Sequence, residues 1–445
     1  MRYERSEPSS SFLLHPSYFL LLTFSNMLVI IGGGAAGFFA AITAAEAHPT
    51  STVTLLERSP NVLAKVRISG GGRCNVTHAC FDPATLTSYY PRGSRELRGP
   101  FTRFQPRDTM QWFESRGVAL KIEADGRVFP MTDDSATIVD CLIDAAKRAG
   151  VQVRTNVQVL GIGVTQTSEV SETSDVLGQF TIALKDYPTL HADQLLLATG
   201  SNAQGHAWAK SLGHTIVPPV PSLFTFNIQD PRLHELAGVS VTRATVALLA
   251  DNNTSSAPQT GPVLVTHWGL SGPAVLRLSA WEARTLHNAQ YRASLQVNWL
   301  ADWREDGVLE RLNACKRETG ARRVSTHSPF GEIPLRLWQR LTVAALILDE
   351  QQWAKLPKAN MLKLAEQLCR SVFQVTGKGV FKDEFVTCGG LALDEVNFKS
   401  MESRVQPGLF FAGEILDIDG ITGGFNFQNA WTTGWIAGCH SIPKI

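Results

Sequence analysis

No two of the seven cysteines in this 445-residue chain stand in a C-x-x-C spacing. That leaves no thioredoxin-type redox pair and no zinc-ribbon ligand set, and an odd, scattered count builds no closed disulfide framework. A reducing cytoplasm is the expected compartment, and no metal site is expected. Surplus charge of one sign is also missing. Lys and Arg number 41 against 40 Asp and Glu, for a net charge of +1. Nucleic acid or an anionic membrane is therefore not expected as the main partner. Long apolar runs are absent too. Residues 18–24 (YFLLLTF) fall far short of the roughly 18 residues a membrane span needs. Basic residues precede this run, but no A-x-A-like site follows it, which argues against a secretory signal. Met27 is a natural first residue, so residues 1–26 read as an extension outside the fold. What remains is ordinary globular composition, 44% hydrophobic and 18% charged, with length for two or more domains.

The first positive signal lies directly behind that extension. Residues 28–31 (LVII) read as a buried strand, and residues 32–37 (GGGAAG) fit G-x-G-x-x-G. An Ala-rich helical stretch covers 35–47, and a second strand, residues 52–56 (TVTLL), ends at Glu57. Strand, helix, second strand and acid are in the register of a dinucleotide fingerprint. Gly32 permits the tight turn, Gly34 lets backbone approach a pyrophosphate, and Gly37 lets helix and strand pack closely. The helix N-terminus offers free N–H groups to phosphate. Glu57 can bind ribose hydroxyls, which favours FAD or NAD over NADP.

A second strand–loop–helix unit ends the chain. Residues 409–412 (LFFA) read as a strand, Gly413 and Glu414 end it, and a helix is expected from Phe425 to Ala437. Exposed amides of Gly423, Gly424 and Phe425 would stabilise negative charge on a reduced flavin, and Glu414 would bind its ribityl chain. The alternative is a crossover helix that merely closes the sheet. Between the two units, residues 195–200 (LLLATG) form a strand returning beside the nucleotide. Short strands are expected at 151–153 and 157–159, and a helix over 135–149 with Ser135 as its N-cap and Gly150 as its stop. No further G-x-G-x-x-G occurs, so no dedicated nicotinamide domain is visible. NAD(P)H would dock transiently, or an organic substrate would give its hydride directly.

The order GGGAAG, LLERSP, KVRISGGGRCN, GRVFP, LLLATG, THWGLSGP, VTCGGL and FFAGEILDIDGITGGFNFQNAW resembles the BaiN/RdsA family of flavoproteins, which includes YhiN-type and aminoacetone-oxidase-type proteins. The resemblance runs over nearly the whole chain from Met27. It implies an α/β fold: a Rossmann-like, glutathione-reductase-type domain holding non-covalent FAD and interrupted by a long insert. It implies an oxidoreductase without implying one substrate. The expected organisation is a flavin domain split into residues 27–218 and 386–445. The insert, 219–385, is first β-rich (239–249, 263–267, 293–300) and then helical (335–348, 359–373). Residues 251–261 read as a surface loop, and the insert is expected to cover the flavin and shape a cavity for a small-molecule substrate. Two departures from relatives stand out: a short segment at 201–206 after LLLATG, and His78 where an Asn is usual.

Residues 69–75 (SGGGRCN) read as a flavin-contacting loop. Ser69, Gly70 and Gly71 would contribute to a nest of amides, with Arg73 and Asn75 as side-chain donors. The candidate cofactor contacts are completed by Ala36, Arg58, Lys65, Cys74, Val157, Ala198, Thr199, Gly200 and Asn426. Cys74 and His267 are weak candidates for catalysis; a packed thiol and a structural histidine are the competing readings. For Arg73 a structural salt bridge competes with anion binding. Two other classes stay open beside the oxidoreductase: a flavin-fold escort protein without redox work, and a flavoenzyme modifying RNA. Substrate, electron acceptor and oligomeric state are encoded in no motif.

Overall fold

The computed structural model describes residues 27–165, 179–249, 255–379 and 386–443; the expected extension, residues 1–26, lies outside the described residues. Five strands run parallel in one sheet, in the spatial order Leu409–Phe411, Gln194–Leu197, Met27–Ile31, Thr52–Leu56 and Gln152–Arg154. Two short strands, Val396–Asn397 and Glu402–Ser403, extend one edge in antiparallel fashion. The inner strands are apolar throughout because both faces are covered, as parallel sheets require; Leu28, Val29, Ile30, Leu195, Leu196 and Leu197 are all fully buried. Register decides where function can sit. Ile31 pairs with both Leu56 and Leu197, and Leu197 pairs with Phe411. Four strands therefore end level, and the segments starting at Gly32, Glu57, Ala198 and Ala412 emerge along one rim. The carboxyl rim of such a sheet is where open α/β folds bind ligands.

The fingerprint helix, Ala35–Ala47, has the expected bounds. The closing helix, Phe425–His440, runs three residues past expectation. These two helices pack against each other without intervening side chains. A Cβ on Gly434 would stand 2.6 Å from the Ala36 carbonyl oxygen, and one on Gly438 would stand 2.6 Å from that of Ala40. Advancing four residues on each helix keeps the contact, so the helices run parallel.

The insert has its own core. Six strands close into a barrel in the order Phe226–Ile228, Gly269–Ser271, Gln259–Val265, Ser240–Leu249, Ala293–Asn298 and Ser371–Lys378. Helices Glu305–Glu318, Leu335–Ala344 and Lys358–Cys369 contribute to the same core, in which Trp299, Trp338 and Trp353 are fully buried. The strand leaving the sheet domain, Ile216–Ser222, pairs antiparallel with the returning strand, Val386–Leu391. Among the described residues, no helix is long and apolar enough to cross a membrane.

Several local expectations change. The helix expected over 359–373 stops at Cys369, because 371–378 alternates inward and outward as a barrel strand. That over 335–348 stops at Ala344. The strand expected at 263–267 is Gln259–Val265, so only part of 251–261 is loop, and 251–254 lie outside the described residues. Strands and helices alternate through the insert instead of forming two blocks, since a barrel closes only when its last strand returns to its first. Ser135 does not cap its helix. Its hydroxyl donates to the Arg67 carbonyl, and the Asp134 carboxylate accepts from the Ala136 amide instead.

One ion pair within the sheet domain also reaches the insert at Ala280. Arg92 grips Asp419 through two nitrogens and donates to the Ala280 carbonyl at 2.7 Å. Ser222, on the exit strand, donates to Asp419 at 2.8 Å. Asp419 is 0% exposed. Burial pushes its carboxyl up, and Arg92 opposes that push. Removing one partner of such a pair strands the other charge. Arg92→Met is expected to cost about 3–5 kcal/mol, read as a lower urea or thermal midpoint; unchanged stability would show that this pair does not hold the junction.

Candidate cofactor site

At the first strand end, Gly32 and Gly37 are forced by contact. A Cβ on Gly32 would lie 2.3 Å from the Ala198 carbonyl oxygen, and one on Gly37 would lie 2.0 Å from that of Gly32. Gly34 differs, because no heavy atom stands within 4 Å of its would-be Cβ. Among the described residues, the amides of Gly34, Ala35 and Ala36 have no acceptor. Three unpaired N–H groups at a helix N-terminus border an open hollow, which suits a phosphate.

Glu57 lies beside this turn. Its two carboxylate oxygens accept from the Gly33 amide at 2.9 Å and the Ser59 amide at 2.7 Å. Val157 donates its N–H to the Glu57 carbonyl at 3.0 Å, which places both predicted residues together. Arg58 is exposed. Ala198 backs Gly32, and Thr199 is turned inward with a buried hydroxyl that lacks a partner among the described residues. At the fourth strand end, Gly413 packs against Ala36 and donates to Thr433. Glu414 lies near Gly200 and pairs with Lys65 at 2.6 Å. Lys65 and Glu414, both expected as ligand contacts, thus meet each other across the rim.

The segment 69–75 is more than a loop. A helix beginning at Ala64 reaches Ile68, and Ser69 then turns extended. Gly70, Gly71 and Gly72 follow with φ of 58°, 70° and 86°, a left-handed turn that only glycine makes cheaply. Cys74 is fully buried, and burial pushes its thiol up to about 12. The thiolate is the reactive form, and this burial disfavours it, which favours the packed-thiol reading of Cys74 over catalysis. Arg73 has acidic partners within the protein. Its guanidinium donates to Glu123 at 2.7 Å and Asp133 at 3.3 Å, above the Phe129 ring. Asn75, expected as a ligand donor, spends its side chain inside the protein. With the amide oriented as its neighbours require, it accepts from the Gly424 N–H at 3.0 Å and donates to the Thr77 carbonyl at 2.9 Å.

That bond joins SGGGRCN to the last motif of the chain. A Cβ on Gly424 would meet the Thr77 carbonyl at 2.5 Å. The Gly424 amide is thus occupied, while those of Gly423 and Phe425 have no acceptor among the described residues. Asn426 is drawn away from the hollow, exchanging two 2.8 Å hydrogen bonds with Gly420 to fold the preceding loop. Phe425 stacks on His78 (4.7 Å, 20°) and on Tyr89 (4.5 Å, 22°). Burial pushes the His78 imidazole down toward its neutral form. From the contact of Ala36 with Gly434, the closing helix starts roughly 12 Å beyond the level of Gly34 at 1.5 Å per residue. Two N-termini therefore point the same way, offset along one rim. His267 stands on an exposed turn of the barrel, and among the described residues no hydrogen bond links it to these groups.

Sequence reading passed over His78 as a partner of Phe425, and over Tyr89, Arg92 and the Gly434–Gly438 contact. Only the last had a readable signal, small residues four apart on a helix. An aromatic partner or an ion pair across hundreds of residues leaves none.

The fold and this rim define an α/β protein built to hold a dinucleotide cofactor. The chain matches the model described as "HI0933-like protein Rossmann domain" over residues 26–440, and it belongs to that family. It is 28% identical over 411 residues to a 3-dehydro-bile acid delta(4,6)-reductase of Clostridium scindens, covering 90% of this chain and 95% of that one. It is 29% identical over 394 residues to the ribosomal RNA dihydrouridine synthase of Escherichia coli, covering 86% and 90%. A 3-ketosteroid-delta4-(5alpha)-dehydrogenase structure from Rhodococcus jostii RHA1 aligns with a TM-score of 0.48 and 17% identity, over 96% of this chain and 99% of that one. The protein is an FAD-dependent oxidoreductase. The hollow at Gly34 and the unpaired amides at both helix starts fit that cofactor.

Two outcomes follow. Gly34→Val adds methyls where the protein has no atoms, so the apoprotein should fold normally while FAD is lost on gel filtration. Retained FAD would place the pyrophosphate elsewhere. Cys74 should resist iodoacetamide at pH 8 in the native state, and Cys74→Ala should keep flavin reduction within about two-fold, since a protonated buried thiol is no nucleophile. Rapid native alkylation would reverse that reading.

Proposed function

We propose that the protein reduces a carbon–carbon double bond conjugated to a carbonyl in a small organic molecule, with NAD(P)H as the source of electrons. The observation that carries the reading is the pair of parallel helix N-termini along one rim, one beside the Gly34 hollow and one at Gly423–Phe425. Supporting it, the two relatives named above share a chemistry: each name describes hydrogen added to a ring double bond. When bound, FAD supplies hydride transfer.

The protein's share is binding and electrostatics. The amides of Gly34, Ala35 and Ala36 hold the pyrophosphate, and Glu57 faces the ribose. The free amides of Gly423 and Phe425, with the positive end of the closing helix, favour negative charge on the reduced ring. Asn75 holds that helix start in place. Tyr89, half-buried and backed by Phe425, presents an aromatic face to a flat substrate. Residues 27–218 with 386–445 form the cofactor domain, and 219–385 covers it. Cys74, Cys80, Cys141, Cys315, Cys369 and Cys388 form no disulfide, which suits a reducing cytoplasm.

An RNA substrate is the second reading, favoured by the rRNA-acting relative and disfavoured by the balanced charge. Anaerobic mixing separates these. NADH or NADPH should bleach the visible flavin band, and a conjugated cyclic enone should restore it. Bleaching by neither nucleotide overturns nicotinamide as the donor. Recovery with a uridine-containing rRNA fragment and with no enone transfers the assignment to RNA.

A further inference from the structure

Arg277 lies on the insert helix Pro273–Trp281. Ala274, Val275 and Leu278 on that helix belong to the barrel core, whereas Leu276 and Ala280 pack on the core of the sheet domain. Arg277 therefore sits at the seam between the two. Its guanidinium lies across Gly261, where a Cβ would stand 2.5 Å from Nη2, and donates to the Thr260 carbonyl. It is half-buried, yet among the described residues no carboxylate pairs with it. Other half-buried arginines each have one: Arg73 has Glu123, Arg92 has Asp419, Arg116 has Glu46, and Arg232 has Asp230. Burial pushes the Arg277 charge down, and the group that opposes this is Tyr89. Tyr89 belongs to the ring cluster around Phe425 at the start of the closing helix. The helix that carries Arg277 meets the cofactor domain at Ala280, whose carbonyl accepts from Arg92.

A cation withdrawn from water without a counter-charge is costly. A guanidinium offers five donors in a planar fork that matches a carboxylate, and among the described residues only one is spent, on Thr260. We infer that Arg277 anchors the carboxylate of a small organic ligand at the seam between barrel and cofactor domain. That this ligand is the substrate rests on the reductase reading; the binding itself does not.

The test titrates the FAD-loaded protein with benzoate, followed by perturbation of the visible flavin spectrum, with neutral benzamide and inorganic phosphate in parallel. Benzoate should bind saturably, and benzamide about ten-fold more weakly or worse, the range of a charge-assisted hydrogen bond. Arg277→Met should weaken benzoate by a similar factor while leaving FAD content and benzamide binding unchanged. Arg277→Lys, which keeps the charge and loses the fork, should fall between, and it carries the test if the Met variant does not hold FAD. No benzoate binding to the parent protein, equal binding of benzoate and benzamide, preference for phosphate, or unchanged affinity in the variants would each overturn the inference. Failure of every enone to reoxidise the flavin would sink the reductase reading and leave Arg277-dependent benzoate binding intact.

Discussion

The close packing of the fingerprint helix on the closing helix is the constraint from which the site follows. Gly434 and Gly438 let the closing helix rest on the carbonyls of Ala36 and Ala40. Side chains at those positions would push the helices apart by ångströms, and the second N-terminus would leave the rim. With the contact made, two partial positive charges lie on one line, as an extended dinucleotide with a charged middle and a redox-active end requires. Neither helix alone does this.

A second layer holds that arrangement rigid with polar groups instead of offering them to a ligand. Asn75 occupies the Gly424 amide, Asn426 folds the loop before it, Tyr90 donates to the Phe425 carbonyl, and Arg73 is locked between two acids. Side chains that look like ligand donors in a motif are here the supports of the amides that face the hollow. This division is economical in a buried site, where each polar group must find a partner. It leaves Arg277 as the exception, a half-buried charge with a backbone carbonyl for company.

Much of the cofactor domain was legible because its signals are local. LVII followed by GGGAAG and an Ala-rich run specifies strand, turn and helix within twenty residues, and TVTLLE adds the acid in register. The strand, turn and helix that carry Gly32, Gly34, Gly37 and Glu57 were found that way. The partners that Arg73, Asn75 and Asn426 take within the protein were not legible, for the opposite reason. Their partners, Glu123, Gly424 and Gly420, are set by tertiary contact or by a loop whose shape no periodicity announces. The insert was half legible. Strands such as 239–249 alternate and were found, yet residues 371–373 read as helix until barrel closure claimed them.

The sequence by itself determined the dinucleotide fold, the cofactor class and the two chain ends that serve it, since glycine spacing and strand–helix alternation act over short distances. Only the tertiary structure decided which groups face the hollow. It buried Cys74, paired Lys65 with Glu414, and left Arg277 without an acid among the described residues. Burial and charge partnership depend on what arrives from elsewhere in the chain, and a side chain's chemistry depends on both.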